Sequence, residues 1–149
     1  RVQHFNRYRK KAERMGELLL SQLSDYLSRR HPDIDTISLI GHSLGGRLAV
    51  SSLKKTTCSR GHQLVINDVL LMAAAVEVDP AEAQLMRSIV QGRLINAYSK
   101  EDRILLMNFG EKSLGRNEVE HFENFRIPDF GHGDYWKKLI LPSKNGLHS

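Results

Sequence analysis

The order of segments along the chain constrains its fold more than any other feature. Apolar, β-branched runs at 36–40, 65–72 and 93–98 have the character of buried strands, and a weaker run follows at 121–127. Segments with helical spacing separate them. Parallel neighbouring strands need crossover connections, which usually contain a helix. We therefore predict an α/β fold, a parallel sheet with helices on both faces.

Helical spacing is clearest before the first strand, where apolar residues recur every three or four positions until the pattern stops ahead of Pro32. These residues are Val2, Phe5, Tyr8, Ala12, Met15, Leu19, Leu23 and Tyr26. Shorter helices are predicted at 44–55, 80–90 and 135–141. No run approaches the roughly 20 continuous apolar residues of a bilayer-spanning helix. With 149 residues, 40% of them hydrophobic, the chain is predicted to form one globular domain over 1–149.

The segment Gly41-His42-Ser43-Leu44-Gly45 follows the first predicted strand and precedes a predicted helix. It matches G-x-S-x-G in the strand–turn–helix context that a nucleophile elbow requires. A serine there adopts a strained backbone conformation that projects its hydroxyl above the sheet. The flanking glycines, with Gly46, would let strand and helix approach without Cβ clashes. The alternative is that Ser43 is an ordinary helix N-cap.

The neighbours of Ser43 have predicted roles as well. The backbone N–H of Leu44, at the start of the helix, would be one oxyanion donor, because the helix dipole favours negative charge there. A second donor must come from elsewhere. His42 is expected to position the turn or line the cleft.

A serine nucleophile needs a histidine base oriented by a carboxylate, and in this type of site they follow in the order Ser, Asp, His. Of the seven histidines, His132 is preferred because it lies in a Gly-His-Gly loop after the last predicted strand. His121, just before that strand, is the reserve candidate. The remaining candidates lie near chain ends or turns: His4, His31, His62 and His148.

The preferred acid is Asp102, which follows the third predicted strand. The carboxyl edge of an open α/β sheet is where such folds bind ligands. Two alternatives remain: Glu101 could be the acid instead, or Asp102 could only cap a helix at 103–109. Asp134 is expected to cap the last helix.

The chain resembles the α/β-hydrolase superfamily of lipases and esterases through Gly41-His42-Ser43-Leu44-Gly45-Gly46. More narrowly, it is similar to the hydrolases called domain of unknown function 726. The matching segments are 67–72, Val78-Asp79-Pro80, 95–100 and 131–135. The resemblance implies Ser43, Asp102 and His132 as a catalytic triad, with no cofactor and no metal.

This superfamily places several strands, and the loop with the second oxyanion donor, before the nucleophile strand. Only one helix precedes that strand here, so the chain is expected to be the C-terminal portion of an α/β-hydrolase domain. The unpaired edge of the first strand then calls for an upstream segment or a partner chain that completes the sheet.

The resulting function is a serine hydrolase of carboxylic esters, a lipase or phospholipase, with a lipid or small ester as substrate. The alternative is a non-catalytic module that docks on acidic lipid or a protein partner through its first helix. The net charge of +5 comes largely from that helix, where Glu13 is the single acid in the first 14 residues. No nucleic-acid motif accompanies the basic residues, so no nucleic-acid partner is expected. Peripheral contact with a membrane is expected instead. The compartment stays open.

Overall fold

A computed structural model describes residues 2–56, 64–107 and 111–140. Four parallel strands form one sheet in the order β1-β2-β3-β4, with helices around it. The strands are β1 Thr36–His42, β2 Val65–Met72, β3 Leu94–Tyr98 and β4 Glu123–Arg126. The predicted α/β class is confirmed.

The helices of the described residues are α1 Val2–Arg30, α2 Leu44–Thr56, α3 Pro80–Ile89 and α4 Arg103–Leu106. A 3-10 turn at Leu114–Arg116 and a π-helical turn at Trp136–Ile140 complete the list. Asp79 caps α3 through a reciprocal capping box with Glu82, and Pro80 opens the helix as predicted. α4 ends at Leu106, short of the predicted 109, and residues 108–110 lie outside the described part. Within the described ranges, no helix has the length and apolar character needed to cross a membrane.

The face of α1 that packs on the protein is rotated from the one that the sequence predicted. Ala12, Gly16, Leu20 and Leu27 are buried. The predicted positions Tyr8, Met15 and Tyr26 are exposed instead. The reason is Gly16, where a Cβ would lie 2.3 Å from the carbonyl oxygen of Leu48. The close approach of α1 to α2 at this glycine sets the rotation of α1.

Two groups of buried side chains support the sheet. The larger packs one face of the sheet against helices and includes Leu20, Leu53, Leu71 and Met86. The smaller includes Met72, Ala97, Leu105 and Tyr135. Since Met72 is the last residue of β2 and Ala97 is the last but one of β3, the smaller group lies near the carboxyl edge of the sheet.

Candidate active site

The turn from β1 to α2 holds Ser43 in the left-handed region, at φ 57°. L-residues other than glycine rarely adopt this conformation, so surrounding contacts must hold it. Ser43 N–H donates to the carbonyl of Met72 at 3.1 Å, and the Ser43 carbonyl accepts from Gly46 N–H at 3.0 Å and Ala75 N–H at 2.9 Å. Ser43 is therefore fixed by β2 and the residues after it.

The glycines around Ser43 differ in what they do. A Cβ on Gly41 would lie 2.8 Å from the Gly45 carbonyl oxygen, and one on Gly46 would lie 2.5 Å from Cβ of Ala74. These two glycines permit the close strand–helix approach predicted for the elbow. The same expectation is wrong for Gly45, because a Cβ there would meet nothing within 4 Å.

Asp102 follows β3 and is fully buried. Its Oδ1 accepts from Leu105 N–H at 2.9 Å, which caps α4. Its Oδ2 lies 2.8 Å from Nδ1 of His132. The side chain that caps α4 therefore also contacts the imidazole of His132, so capping the helix does not exclude the contact that the predicted acid would need.

His132 lies in the loop after β4, and its Nε2 is 2.7 Å from Oγ of Ser43. Three contacts hold this loop. Ser99 Oγ donates to the Phe130 carbonyl at 2.7 Å. His42 Nε2 donates to the His132 carbonyl at 2.7 Å, which assigns the proton of His42 to that nitrogen. Gly131 N–H donates to Asp134 Oδ2 at 2.7 Å, so Asp134 closes the turn.

The alternative candidates lie apart from this arrangement. His121 is exposed in the turn before β4, at the amino end of a parallel strand and thus at the opposite edge from Ser43. Glu101 Oε2 lies 3.0 Å from Ser99 Oγ, and Glu101 Oε1 lies 3.9 Å from Nη2 of Arg126. His62 and His148 lie outside the described residues.

Two aromatic residues to which the sequence assigned no role lie beside His42. The ring centroids of Tyr135 and Trp136 lie 6.1 Å and 6.0 Å from that of His42. Burial, and secondarily the charge of Asp102, raises the pKa of Tyr135 far above its ordinary value. Its buried hydroxyl has no hydrogen-bond partner in the described part of the chain. A lone aromatic pair after a Gly-His-Gly-Asp loop offers no periodic signal, so only the fold could place these rings.

Ser43, His132 and Asp102 thus come from the carboxyl ends of β1, β4 and β3, and they meet at one edge of the sheet. A hydroxyl, an imidazole and a buried carboxylate in this order can pass a proton from oxygen to imidazole and stabilise the cation that results. Among the described residues, no group of three His, Cys, Asp or Glu side chains is placed to hold a metal ion.

Comparison with known proteins gives relatives that are much longer. The transmembrane and coiled-coil domain-containing protein STS1 of Oryza sativa subsp. japonica is 28% identical over 134 residues, 84% of this chain and 20% of that protein. An uncharacterized membrane protein of Caenorhabditis elegans is 30% identical over 142 residues, 87% of this chain and 22% of that protein. The chain spans about a fifth of the length of these two relatives.

A third relative has a name that refers to an activity. The probable lipase MIL1 of Saccharomyces cerevisiae is 29% identical over 128 residues, 78% of this chain and 12% of that protein. A family model matches residues 3–134, from within α1 to the loop that carries His132. The chain therefore belongs to the DUF726 family, whose description is "protein of unknown function".

Proposed function

We propose that this chain carries the catalytic centre of a serine hydrolase of the α/β-hydrolase superfamily that cleaves carboxylic esters, a lipase or phospholipase. The observation that carries the proposal is the pair of contacts that joins Ser43 Oγ to His132 Nε2 at 2.7 Å and His132 Nδ1 to the buried Asp102 at 2.8 Å. Hydrogen-bond distances of this kind between nucleophile, base and acid are what activation of a serine requires.

In the proposed reaction, Nδ1–H of His132 donates to Asp102, so Nε2 is free to accept the proton of Ser43. Ser43 Oγ attacks the acyl carbonyl, and His132 then gives that proton to the leaving alcohol. A water molecule deprotonated by His132 releases the acyl group from Ser43 in the second half of the cycle.

The N–H of Leu44 is proposed to stabilise the oxyanion of both tetrahedral intermediates. Leu44 is the first residue of α2, so its N–H has no acceptor within the helix. Positive charge density at a helix N-terminus favours the oxygen anion that develops there.

An apolar substrate is favoured by the surface beside the proposed acid and base. Ile104, Leu106 and Met107, which follow Asp102, are 60%, 66% and 70% exposed. Trp136 is partly exposed, and its ring lies beside that of His42. Apolar side chains left in water next to a polar site are typical of a surface that receives an apolar ligand or a membrane. The name of MIL1 agrees with a lipid ester as substrate.

Covalent labelling with a fluorophosphonate, together with hydrolysis of p-nitrophenyl esters of short and long acyl chains, tests the proposal in the full-length protein. We expect labelling and turnover, with longer acyl chains preferred, and a loss of about 10⁴-fold or more in turnover in Ser43→Ala. Ser88→Ala is the control, because Ser88 is exposed on α3 and its Oγ donates only to the Leu85 carbonyl. A folded protein without Ser43-dependent labelling or turnover would contradict the proposal.

A second candidate is a non-catalytic module that docks on acidic lipid. The observation that favours it is the exposed surface of the N-terminal half of α1, where Arg7, Lys10, Lys11 and Arg14 surround the exposed Tyr8. Basic side chains around apolar ones are typical of helices that lie on anionic membranes. Absence of Ser43-dependent labelling together with vesicle binding would favour this candidate over the hydrolase.

A further inference from the structure

Arg47 is a buried cation on α2, four residues after Ser43, with only 6% of its surface exposed. We propose that Arg47 is a positioning residue that orients the peptide between Ser43 and Leu44, whose N–H would stabilise the oxyanion. This inference rests on the proposed function, since that function assigns a role to the Leu44 N–H.

The first step of the argument is a chain of hydrogen bonds from Arg47 to the elbow. Arg47 Nε donates to the Ala75 carbonyl at 2.9 Å. The N–H of the same residue, Ala75, donates to the Ser43 carbonyl at 2.9 Å. Ala75 is therefore held on one side by Arg47 and itself holds Ser43 on the other.

The second step concerns the direction of the Leu44 N–H. In a trans peptide, the carbonyl of one residue and the N–H of the next point in opposite directions, and the described residues contain no cis peptide. Since the Ser43 carbonyl is turned toward Ala75 and Gly46, the Leu44 N–H points away from them. Any rotation of the Ser43 carbonyl would turn the proposed oxyanion donor with it.

The far end of Arg47 is fixed as well. Its Nη1 donates to Glu13 Oε1 on α1 at 2.9 Å, and its Nη2 donates to Glu111 Oε2 at 2.5 Å. Glu111 also pairs with Arg9 of α1 at 3.2 Å. A planar guanidinium can satisfy a carbonyl and two carboxylates at once, which a lysine ammonium cannot match in geometry. The lone acid near the N-terminus, Glu13, thus anchors the elbow to α1.

The test is Arg47→Lys in the full-length protein, with Arg87→Lys as the matched control. Arg87 also donates to backbone carbonyls, those of Val90 and Gly92, but it lies on α3 away from Ser43. Steady-state hydrolysis of a p-nitrophenyl ester gives kcat and KM, and inhibition by an alkylboronic acid measures binding of a tetrahedral adduct at Ser43.

We expect Arg47→Lys to lower kcat and weaken boronate binding by about tenfold to a hundredfold, since loss of a whole oxyanion donor costs about 10²–10³ in kcat. KM should stay within about twofold, because an interaction made mainly in the transition state does not contribute to substrate binding. Arg87→Lys should leave kcat, KM and boronate binding unchanged. If Arg47→Lys does not fold, Arg47→Met combined with Glu13→Gln and Glu111→Gln removes the buried cation together with the two carboxylates that pair with it, and the same loss of kcat is expected.

A second readout does not depend on turnover. Amide hydrogen exchange at Ala75 reports its hydrogen bond to Ser43, and Val69 N–H, which donates to Arg93 at 2.8 Å, is the internal reference. An exchange rate that rises from wild type to Arg47→Lys at Ala75, but not at Val69, supports the positioning role. This result would count even if the wild-type protein showed no Ser43-dependent turnover and the proposed hydrolase function failed. Unchanged exchange at Ala75, or an equal loss of kcat in Arg87→Lys, would overturn the role of Arg47.

Discussion

Asp102 uses its two carboxylate oxygens for separate purposes. One oxygen caps α4 through Leu105 N–H, and the other lies against Nδ1 of His132. A fully buried carboxylate needs such partners, because an unpaired charge is costly away from water. The cap therefore helps to hold the proposed acid in place before any substrate is present.

Two substitutions of Asp102 separate these purposes. Asp102→Asn keeps an oxygen that can cap α4, but its amide favours the wrong tautomer of His132, so we expect kcat to fall about 10⁴-fold with little loss of stability. Asp102→Ala removes the cap too, and the free energy of unfolding should fall by about a further 1 kcal/mol. Esterase kinetics and urea unfolding of both variants check this. Equal unfolding free energies in the two variants would show that the cap contributes nothing.

Tyr135 gives a prediction about alkaline pH. Burial raises the pKa of its phenol, so the folded state keeps a proton that the unfolded state loses above about pH 10. The contribution of Tyr135 to the free energy of unfolding is fully present below the pKa that the phenol has in the unfolded chain. It is lost as pH rises from there toward the higher pKa of the folded state. Tyr135→Phe should therefore reduce the loss of stability above about pH 10.

The same substitution should be neutral or stabilising by up to about 1 kcal/mol near pH 7, because it removes a buried hydroxyl without a partner. Urea unfolding at pH 7 and at alkaline pH measures both effects. Part of the alkaline loss should remain, since burial and the hydrogen bond to Glu118 also raise the pKa of Tyr98. A large destabilisation at pH 7 would mean that the hydroxyl has a partner in solution.

At the scale of elements, sequence patterns located β1, β2 and β3 well because these strands are short, mostly apolar and bounded by turn residues. β2 runs over the predicted 65–72, and β3 starts one residue late, at Leu94. The rotation of α1 could not be predicted in the same way. Its apolar residues occupy more than one face, and the choice between faces depends on the contact of Gly16 with α2.

Two neighbouring glycines of α2 provide a test of packing. Gly46→Ala would place a methyl group against Ala74, so we expect destabilisation of about 1–3 kcal/mol from overpacking. Gly45→Ala meets open space in the same helix, and the better helix propensity of alanine should leave the protein unchanged or up to about 1 kcal/mol more stable. Thermal unfolding compares the two, and a similar loss in both would contradict the packing argument.

At the scale of the whole molecule, α1 extends past the start of α2 on the side of the proposed active site. Glu13 pairs with Arg47 near the start of α2, and a cavity between the helices is lined by Leu20 and Thr56, so the two helices run in the same direction. The residues of α1 before Glu13 therefore project beyond the carboxyl edge of the sheet. They bring the basic face of α1 to the same side as the exposed Leu106 and Met107.

This placement predicts binding to anionic membranes. Co-sedimentation with phosphatidylserine vesicles should exceed that with phosphatidylcholine vesicles. Lys11→Glu with Arg14→Glu should weaken it about 30-fold or more, since each basic residue near the surface contributes about 1 kcal/mol. Arg29→Glu with Arg30→Glu is the control, because these exposed residues lie at the other end of α1. Equal weakening by both pairs would indicate an effect of net charge alone.

The sequence by itself determined the α/β class and the strand segments, and it made Ser43, Asp102 and His132 the preferred site residues, because alternation, turn glycines and chain order are local signals. Only the tertiary structure decided that His132 rather than His121 contacts Ser43, and that Asp102 rather than Glu101 contacts His132. It also decided that Arg47 joins Glu13 to the elbow. These contacts join residues 28 to 89 positions apart, and only the packing of helices on the sheet sets the distances between them.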